Sequence, residues 1–482
     1  MEIMKRLAAI ICAGILACSY SFAENKVQQA VNRLNEESFA DCCFSTMIRY
    51  VDGEQIACCD PRQKMNPASN MKVITTGAAL TALGPEYRWE TTLAYTGSVT
   101  ANGRLNGDLY IIGGGDPMLG SKHADAIPMT AVYAQWADFL ANAGISQING
   151  DIIGDGSWLD GMREDPSWSF EDLGTYYGTC LSGLNFYENR QGMQVNTMGA
   201  AEGSVPEITL SYPSTPWMKW QYDCTVGGKG DNLYMYWDSD EYNAVIRGTI
   251  GAGLDKTVEF RNNRPELTLA NEFKEWLEKE RNIIATGSAK GITDERDSLS
   301  ISHMAGNITE IGSSFGPDLR TVINRTNKDS NNLFAEMLFR TVGKELGRDS
   351  SPESAREAML GIIGKIVGED KASRKYLMMQ DGSGLSVHDR VSAGFMCDFL
   401  ASMYESENRD AFVSSLKQYS SRCVLKTGTI SGCRSLCGYI LPATADGRAI
   451  VFSIMVNNSE LKAGEIDKLE KSLLDVIVAN CR

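Results

Sequence analysis

The chain has 482 residues, more than one hydrophobic core commonly serves, so two or more domains are expected. Apolar residues make up 43 % and charged residues 22 %, globular proportions that exclude a disordered chain. A formal net charge of −15 repels phosphate backbones and sets nucleic-acid binding aside.

The N-terminus reads as an export signal. Lys5 and Arg6 precede an apolar run of eleven residues, Leu7 to Ala17, and Ser21-Phe22-Ala23 offers a small-residue cleavage site before Glu24. The run is short of the about 20 residues a spanning helix needs. Residues 1–23 are therefore expected to be a signal peptide and the mature chain to lie outside the cytoplasm. Ile15-Leu16-Ala17-Cys18 also loosely matches a lipoprotein cleavage box, which makes Cys18 a candidate lipid anchor.

Next come two strand-like runs, Phe44 to Tyr50 and Glu54 to Cys58, joined by the hairpin signal Asp52-Gly53. A two-residue turn there sets Cys58 opposite Met47 and Cys59 opposite Thr46, so the doublets Cys42-Cys43 and Cys58-Cys59 do not face each other. Asn66-Pro67 starts a helix that runs from Ser69 to Leu83 and stops at Gly84-Pro85. From Trp89 to about Lys290 the texture is β-rich, with helices near Ala131 to Ala143 and Leu269 to Arg281. After about Ser300 helices return, Ser330 to Gly343 and Ser392 to Glu405 being the clearest. Cys423 to Thr429, Cys433 to Leu441 and Ala449 to Asn457 read as three strands, and Glu465 to Ala479 as a closing amphipathic helix.

Eleven of the thirteen cysteines lie beyond Ala23, an odd number that cannot all pair within one chain. Cys423 and Cys437 flank the turn at Thr429 to Gly432 and fall nearly opposite, so a bridge between them is expected. No Cys/His cluster has zinc spacing, and no metal or other cofactor is expected.

Ser69-Asn70-Met71-Lys72 sets a hydroxyl and an amine three residues apart on one helix face. Alone this is weak, since Ser414 to Lys417 and Ser459 to Lys462 match it too; both read as solvated faces. Two further elements follow in order: Ser330-Asn331-Asn332 at a helix start and Lys426-Thr427-Gly428-Thr429 on a strand. Ser406-Glu407-Asn408 rivals the middle element but lies only eighteen residues before Lys426, in an acidic stretch, and reads as surface. The ordered trio is the signature of active-serine acyl transfer shared by class A β-lactamases and penicillin-binding proteins.

The residue types suit that chemistry. A serine hydroxyl attacks poorly until a base takes its proton. Lys72 can be that base when neutral, a form that burial and the charge of Lys426 both favour. Ser330 can relay a proton to the leaving amine, and Asn332 can donate to and accept from a peptide backbone. Lys426 and the Thr427 hydroxyl suit a substrate carboxylate. Gly428 lets a peptide lie along its strand, and the amides of Ser69 and Thr429 would form an oxyanion hole.

At these residues the chain resembles the D-alanyl-D-alanine carboxypeptidase/endopeptidases, the class C low-molecular-mass penicillin-binding proteins. The resemblance rests on Asn66 to Lys72, Gly113-Gly114-Gly115-Asp116-Pro117, Asn327 to Asn332 with Ala335-Glu336, Asp381 to Ser386, and Lys426 to Thr429 with Gly432. It implies an α/β fold of the α+β type: a β-lactamase/transpeptidase-like catalytic domain, its sheet flanked by helices and split by a large β-rich insert. On that reading residues 24–90 and 291–482 form the catalytic domain and 91–290 the insert. It further implies cleavage of peptidoglycan stem peptides through an acyl-enzyme, and covalent trapping by β-lactam antibiotics. Ser330-Asn331-Asn332 stands where the family often has Ser-Asp-Asn. Val387 stands where it often carries a basic residue that grips the stem peptide. The resemblance also offers Asp155 as a substrate contact, against the plainer reading of an Asp-Gly turn.

Rival readings are weaker. Gly312-Ser313-Ser314-Phe315-Gly316 fits a nucleophile elbow, but Pro317 follows where a helix must begin. A β-lactamase is the nearest alternative, yet the chain lacks a Glu-x-x-Leu-Asn pattern for the deacylating water and carries an insert such an enzyme does not need. A non-catalytic wall-binding or sensor protein has no reason to keep every proton-handling residue.

Overall fold

The computed structural model describes residues 26–480 apart from 239–240, 295, 298, 304–306 and 445. The expected signal peptide, with Cys18, lies outside the described residues. The chain is mixed α/β and folds as two compact units. Of the described residues, one unit comprises 26–82, 323–330 and 359–480; the other comprises 83–322 and 331–358.

The first unit is built on a six-stranded antiparallel sheet. Its order is Gln55–Cys59, Cys43–Tyr50, Ile450–Asn457, Cys433–Ile440, Cys423–Ile430 and Lys417–Gln418. Every residue of Ile450–Asn457 is buried, as befits a continuous apolar run at the centre of a sheet covered on both faces. On one face the helix over 26–33 and the closing helix Ala463–Asn480 pack Val27, Val31, Ile466, Leu473 and Ile477 against Phe44, Ile48, Phe452 and Ile454. On the other, helix Ala393–Glu405 lies against Cys43–Tyr50 and Ile450–Asn457, with Ala393, Met65 and Met455 in one cluster. Ser392 caps that helix, its hydroxyl accepting from Phe395 N at 3.2 Å.

The hairpin at Asp52-Gly53 has the expected register, Thr46 opposite Cys59 and Met47 opposite Cys58, before a bulge at Ile48/Arg49. The expected Cys423–Cys437 bridge is not formed. The two strands pair so that Cys423 faces Ile440 and Cys437 faces Lys426, and both thiols are free. Counting inward from the turn misplaced Cys423 because the ladder continues to Ile430 and Cys433, so the two cysteines lie three registers apart. A disulfide needs Cα atoms within about 7 Å, which that offset does not allow.

The second unit holds the β-rich stretch. A five-stranded sheet runs in the order Ala289–Ile292, Ile152–Asp155, Leu109–Gly113, Arg88–Thr96 and Ile308–Asp318. Helices Met129–Asn142 and Pro265–Trp276 cover it, packing Trp136, Leu140 and Phe273 on Leu93, Ile111 and Ile152. Glu207–Leu210, Arg190–Asn196 and Asp255–Arg261 form one three-stranded sheet; Lys219–Val226, Asn243–Ile250 and Asp231–Trp237 form another around Met193, Met235 and Ile246. Ile308–Asp318 corrects the expectation of helix after Ser300. Its glycines and serines carry no local preference for strand, and pairing with Arg88–Thr96, over 200 residues away, decides the state. Ser314 of the elbow-like motif sits inside this strand, buried, accepting from Trp136 Nε1 at 3.0 Å and donating to Thr91 O at 3.3 Å. It is a structural hydroxyl. Among the described residues no helix is long and apolar enough to cross a membrane.

Candidate active site

Ser69 lies in a 3₁₀ turn, Ala68–Asn70, that leads into helix Met71–Leu83. One helical turn brings Lys72 beneath it, and Lys72 Nζ donates to Ser69 Oγ at 3.0 Å. The same Nζ donates to Ser383 O at 2.7 Å. Lys72 is wholly buried, whereas Ser69 keeps part of its surface open. The other two Ser-x-x-Lys matches do not build this pair, since Lys417 and Lys462 both extend into solvent.

The start of this helix is tied to its surroundings on three sides. Asn457 Oδ1 accepts from Asn66 N at 2.8 Å and its Nδ2 donates to Asn66 O at 3.2 Å, while Asn66 Oδ1 accepts from Ala68 N at 2.8 Å. Ser435 Oγ donates to Pro67 O at 2.6 Å. A Cβ on Gly428 would meet Ser435 Oγ at 2.2 Å and Pro67 O at 2.6 Å. The missing side chain at Gly428 thus serves the approach of its strand to the Ser69 turn, a reason the sequence reading did not supply. Ala68 has φ +46, left-handed for a residue with a Cβ, and such strain persists only where neighbours over-determine it.

Strand Cys423–Ile430 alternates as a half-buried strand should: Lys426 and Gly428 are buried, Thr427 and Thr429 exposed. Its outer neighbour Lys417–Gln418 pairs only with Val424 and Leu425. Beyond them, from Lys426 to Ile430, no described strand covers that edge. Lys426 Nζ donates to Ser330 Oγ at 2.8 Å and to Thr427 O at 2.6 Å. Burial, reinforced by the charge of Lys72, holds Lys426 well below the ordinary lysine range. Ser330 itself stands at φ +57.

In the sequence Ser383 is only one residue of the Asp381–Ser386 motif; the structure gives its carbonyl a partner in Lys72. The loop is organised by buried Asp381, whose Oδ1 accepts from Gly384 N at 2.7 Å and Oδ2 from Ser386 N at 2.8 Å. The Asp-x-x-Gly-x-Ser spacing was the available signal, since a carboxylate at a turn start gathers the amides that follow.

The other two residues of the middle element, Asn331 and Asn332, belong to the second unit. Asn331 caps helix Asn332–Leu346, its Oδ1 accepting from Phe334 N at 3.2 Å. Asn332 Nδ2 donates to Tyr177 O at 2.8 Å. Asp155 is buried there and accepts from Ser157 N and Ile301 N, both at 2.8 Å, so its carboxylate is engaged in loop structure. Ser406 Oγ donates to Met403 O at a helix end, in keeping with a surface role for Ser406-Glu407-Asn408.

A serine hydroxyl against a buried lysine, beside an open strand edge with a second lysine, marks the class of active-serine acyl-transfer enzymes. Residues 32–479 match the D-Ala-D-Ala carboxypeptidase 3 (S13) family, and the chain belongs to it as a serine-type peptidase of the penicillin-binding kind. A D-alanyl-D-alanine carboxypeptidase of Actinomadura sp. strain R39 is 26 % identical over 441 residues, 84 % of this chain and 76 % of that one. Penicillin-sensitive carboxypeptidase A of Dictyostelium discoideum is 23 % identical over 84 % of this chain and 80 % of its own. The crystal structure of penicillin binding protein 4 from Haemophilus influenzae superposes with a TM-score of 0.74 at 20 % identity, covering 94 % of this chain and 99 % of that one. That neighbour has also been solved with a β-lactam bound.

Proposed function

We propose that Ser69 is the nucleophile of a D-Ala-D-Ala carboxypeptidase and/or D,D-endopeptidase acting on peptidoglycan stem peptides. The contact of Lys72 Nζ with Ser69 Oγ at 3.0 Å carries the reading, because it joins the hydroxyl to a base shielded from water. Neutral Lys72 takes the hydroxyl proton as Ser69 Oγ attacks the carbonyl of the penultimate D-Ala. The C–N bond breaks and the proton passes through Lys72 and Ser330 to the departing amine. Water then attacks the ester as Lys72 takes its proton; the acyl C–Oγ bond breaks, Lys72 returns the proton to Ser69 Oγ, and the shortened peptide leaves with a free carboxylate. The departing amine is that of free D-Ala in one activity and of a cross-linked neighbour in the other; one nucleophile serves both.

The remaining roles follow from position. Thr427 and Thr429 line the uncovered edge, where an extended peptide adds as one more strand over Gly428. Lys426 with Thr427 receives the terminal carboxylate, whose charge favours the ammonium form that burial disfavours. The Ser69 and Thr429 amides hold the oxyanion, an interaction worth about 3 kcal/mol per donor elsewhere. Asn332 holds the substrate's backbone. A catalytic domain of 24–90 and 291–482 split by the insert 91–290 belongs to this proposal, as do export by residues 1–23, a periplasmic site of action, and a tether at Cys18. β-Lactams, which present a strained amide to Ser69, are expected to acylate it and leave slowly.

Mass spectrometry after a fluorescent penicillin tests the reading. The label is expected on Ser69 of the wild-type chain and absent from Ser69→Ala; label that persists in the variant overturns it. Digestion of cross-linked wall fragments, scored for free D-Ala and for separated stems, then apportions the two activities.

A further inference from the structure

Three consecutive residues with side chains, Tyr187, Glu188 and Asn189, stand at φ +52, +55 and +52. A left-handed run of this kind is rare without glycine, because each Cβ crowds its own carbonyl. It is held from every side. Tyr187 N donates to Leu119 O at 3.1 Å, and Asn262 N and Thr179 Oγ1 donate to Asn189 O at 2.9 and 2.6 Å. The Asn189 side chain accepts from Phe186 N at 3.0 Å and donates to Cys180 O at 2.7 Å.

The product of this constraint is the placement of one buried carboxylate. Glu188 Oε2 accepts from Asn331 Nδ2 at 2.7 Å and pairs with Arg190 at 2.8 Å; Oε1 accepts from Ser121 Oγ at 2.9 Å, with His123 Nε2 at 3.7 Å. Arg190 is shared with Glu259, which also binds Lys122. Asn331 is the middle residue of Ser330-Asn331-Asn332. Its other task, capping the helix, would be done as well by aspartate as by asparagine. Glu188 is what distinguishes the two, since an aspartate would set a second carboxylate 2.7 Å from the first.

We infer that Glu188 is a positioning residue of the reaction: by holding the Asn331 amide it fixes the backbone between Ser330 and Asn332, and it is the reason this chain has Asn331. The inference rests on the roles proposed above for Ser330 and Asn332.

The test measures the second-order rate of acylation by fluorescent penicillin from pH 5 to 9 in wild type, Asn331→Asp, Glu188→Gln and the double variant. Asn331→Asp is expected to lose about tenfold at pH 8, the worth of one charge-assisted hydrogen bond. Relative to wild type the loss shrinks toward pH 5, where the two carboxyls share a proton. In the double variant the amide introduced at position 188 donates to the carboxylate introduced at position 331, and the rate at pH 8 returns toward wild type. A wild-type rate in Asn331→Asp, a pH-independent deficit, or a double variant no faster than Asn331→Asp overturns the inference. Should Asn331→Asp fail to fold, Glu188→Gln decides: slower acylation with an unchanged near-ultraviolet spectrum supports the role, and an unchanged rate removes it. Labelling abolished by Ser69→Ala but indifferent to residues 188 and 331 defeats this inference alone; labelling that survives Ser69→Ala defeats the proposed function beneath it.

Discussion

The segments around Ser69 and around Asn331 are two answers to one problem, how to hold a reactive group off a helix start. Both carry a left-handed residue just before the helix, Ala68 in one and Ser330 in the other. Around Ser69 the fastening is neutral and short in reach: amides, hydroxyls and carbonyls of Asn66, Asn457 and Ser435, and the bare Cα of Gly428. Around Asn331 it is ionic, running through Glu188 to Arg190 and Glu259. A neutral net offers no charge to reverse, whereas a carboxylate hub does. Among the direct contacts just named, only those around Asn331 are therefore open to charge reversal.

The sharpest way to break the first support is to remove its base. Lys72→Met keeps length and burial but accepts no proton, so acylation should fall about 10²- to 10⁴-fold, the usual worth of a general base. A stopped-flow penicillin-binding rate within a few-fold of wild type would show that another group takes the Ser69 proton.

Lys426→Met separates binding from stability. Loss of a charge-assisted contact to the substrate carboxylate should lower kcat/KM for a D-Ala-D-Ala peptide by about 10- to 100-fold. Stability should change through a different route, the lysine's own proton. The folded pKa of Lys426 lies below the unfolded value of about 10.4, so the unfolded chain binds the extra proton between them and folding gains as pH rises through that window. Urea midpoints from pH 7 to 10 should therefore climb more steeply in wild type than in the variant. Parallel curves would place the Lys426 proton elsewhere.

The smallest expected effect on the chemistry itself comes from Gly384→Ala, which acts through the frame. Gly384 has φ +78, and a Cβ there would lie 1.9 Å from Ala68 O. Overpacking and backbone strain together should cost about 3 kcal/mol, read as a lowered urea midpoint. The folded fraction should still acylate at Ser69. An unchanged midpoint would mean that the Asp381–Ser386 loop does not brace the Ser69 turn.

Much of this was legible in one dimension because it is local. The three-residue spacing of Ser69 and Lys72 is a helical turn, the alternation of Lys426 to Thr429 is the period of a strand, and Asp52-Gly53 marks a hairpin whose expected pairs, Met47 with Cys58 and Thr46 with Cys59, form beyond the bulge at Ile48/Arg49. Where the deciding contact lay far along the chain, local pattern misled or stayed silent. Ile308–Asp318 is a strand because Arg88–Thr96 lies beside it; Cys423 is a local miss, unbridged because the tighter turn at Ser431-Gly432 sets it three registers from Cys437. No spacing rule ties Glu188 to Asn331, 143 residues apart, or Lys72 to the Ser383 carbonyl, 311 apart. The nucleophile candidate, its order among the three motifs and the elements that bear them are properties of neighbouring residues, and so could be read along the chain. Which carbonyl and which carboxylate hold those groups in place could not, since only folding brings such distant partners within hydrogen-bonding reach.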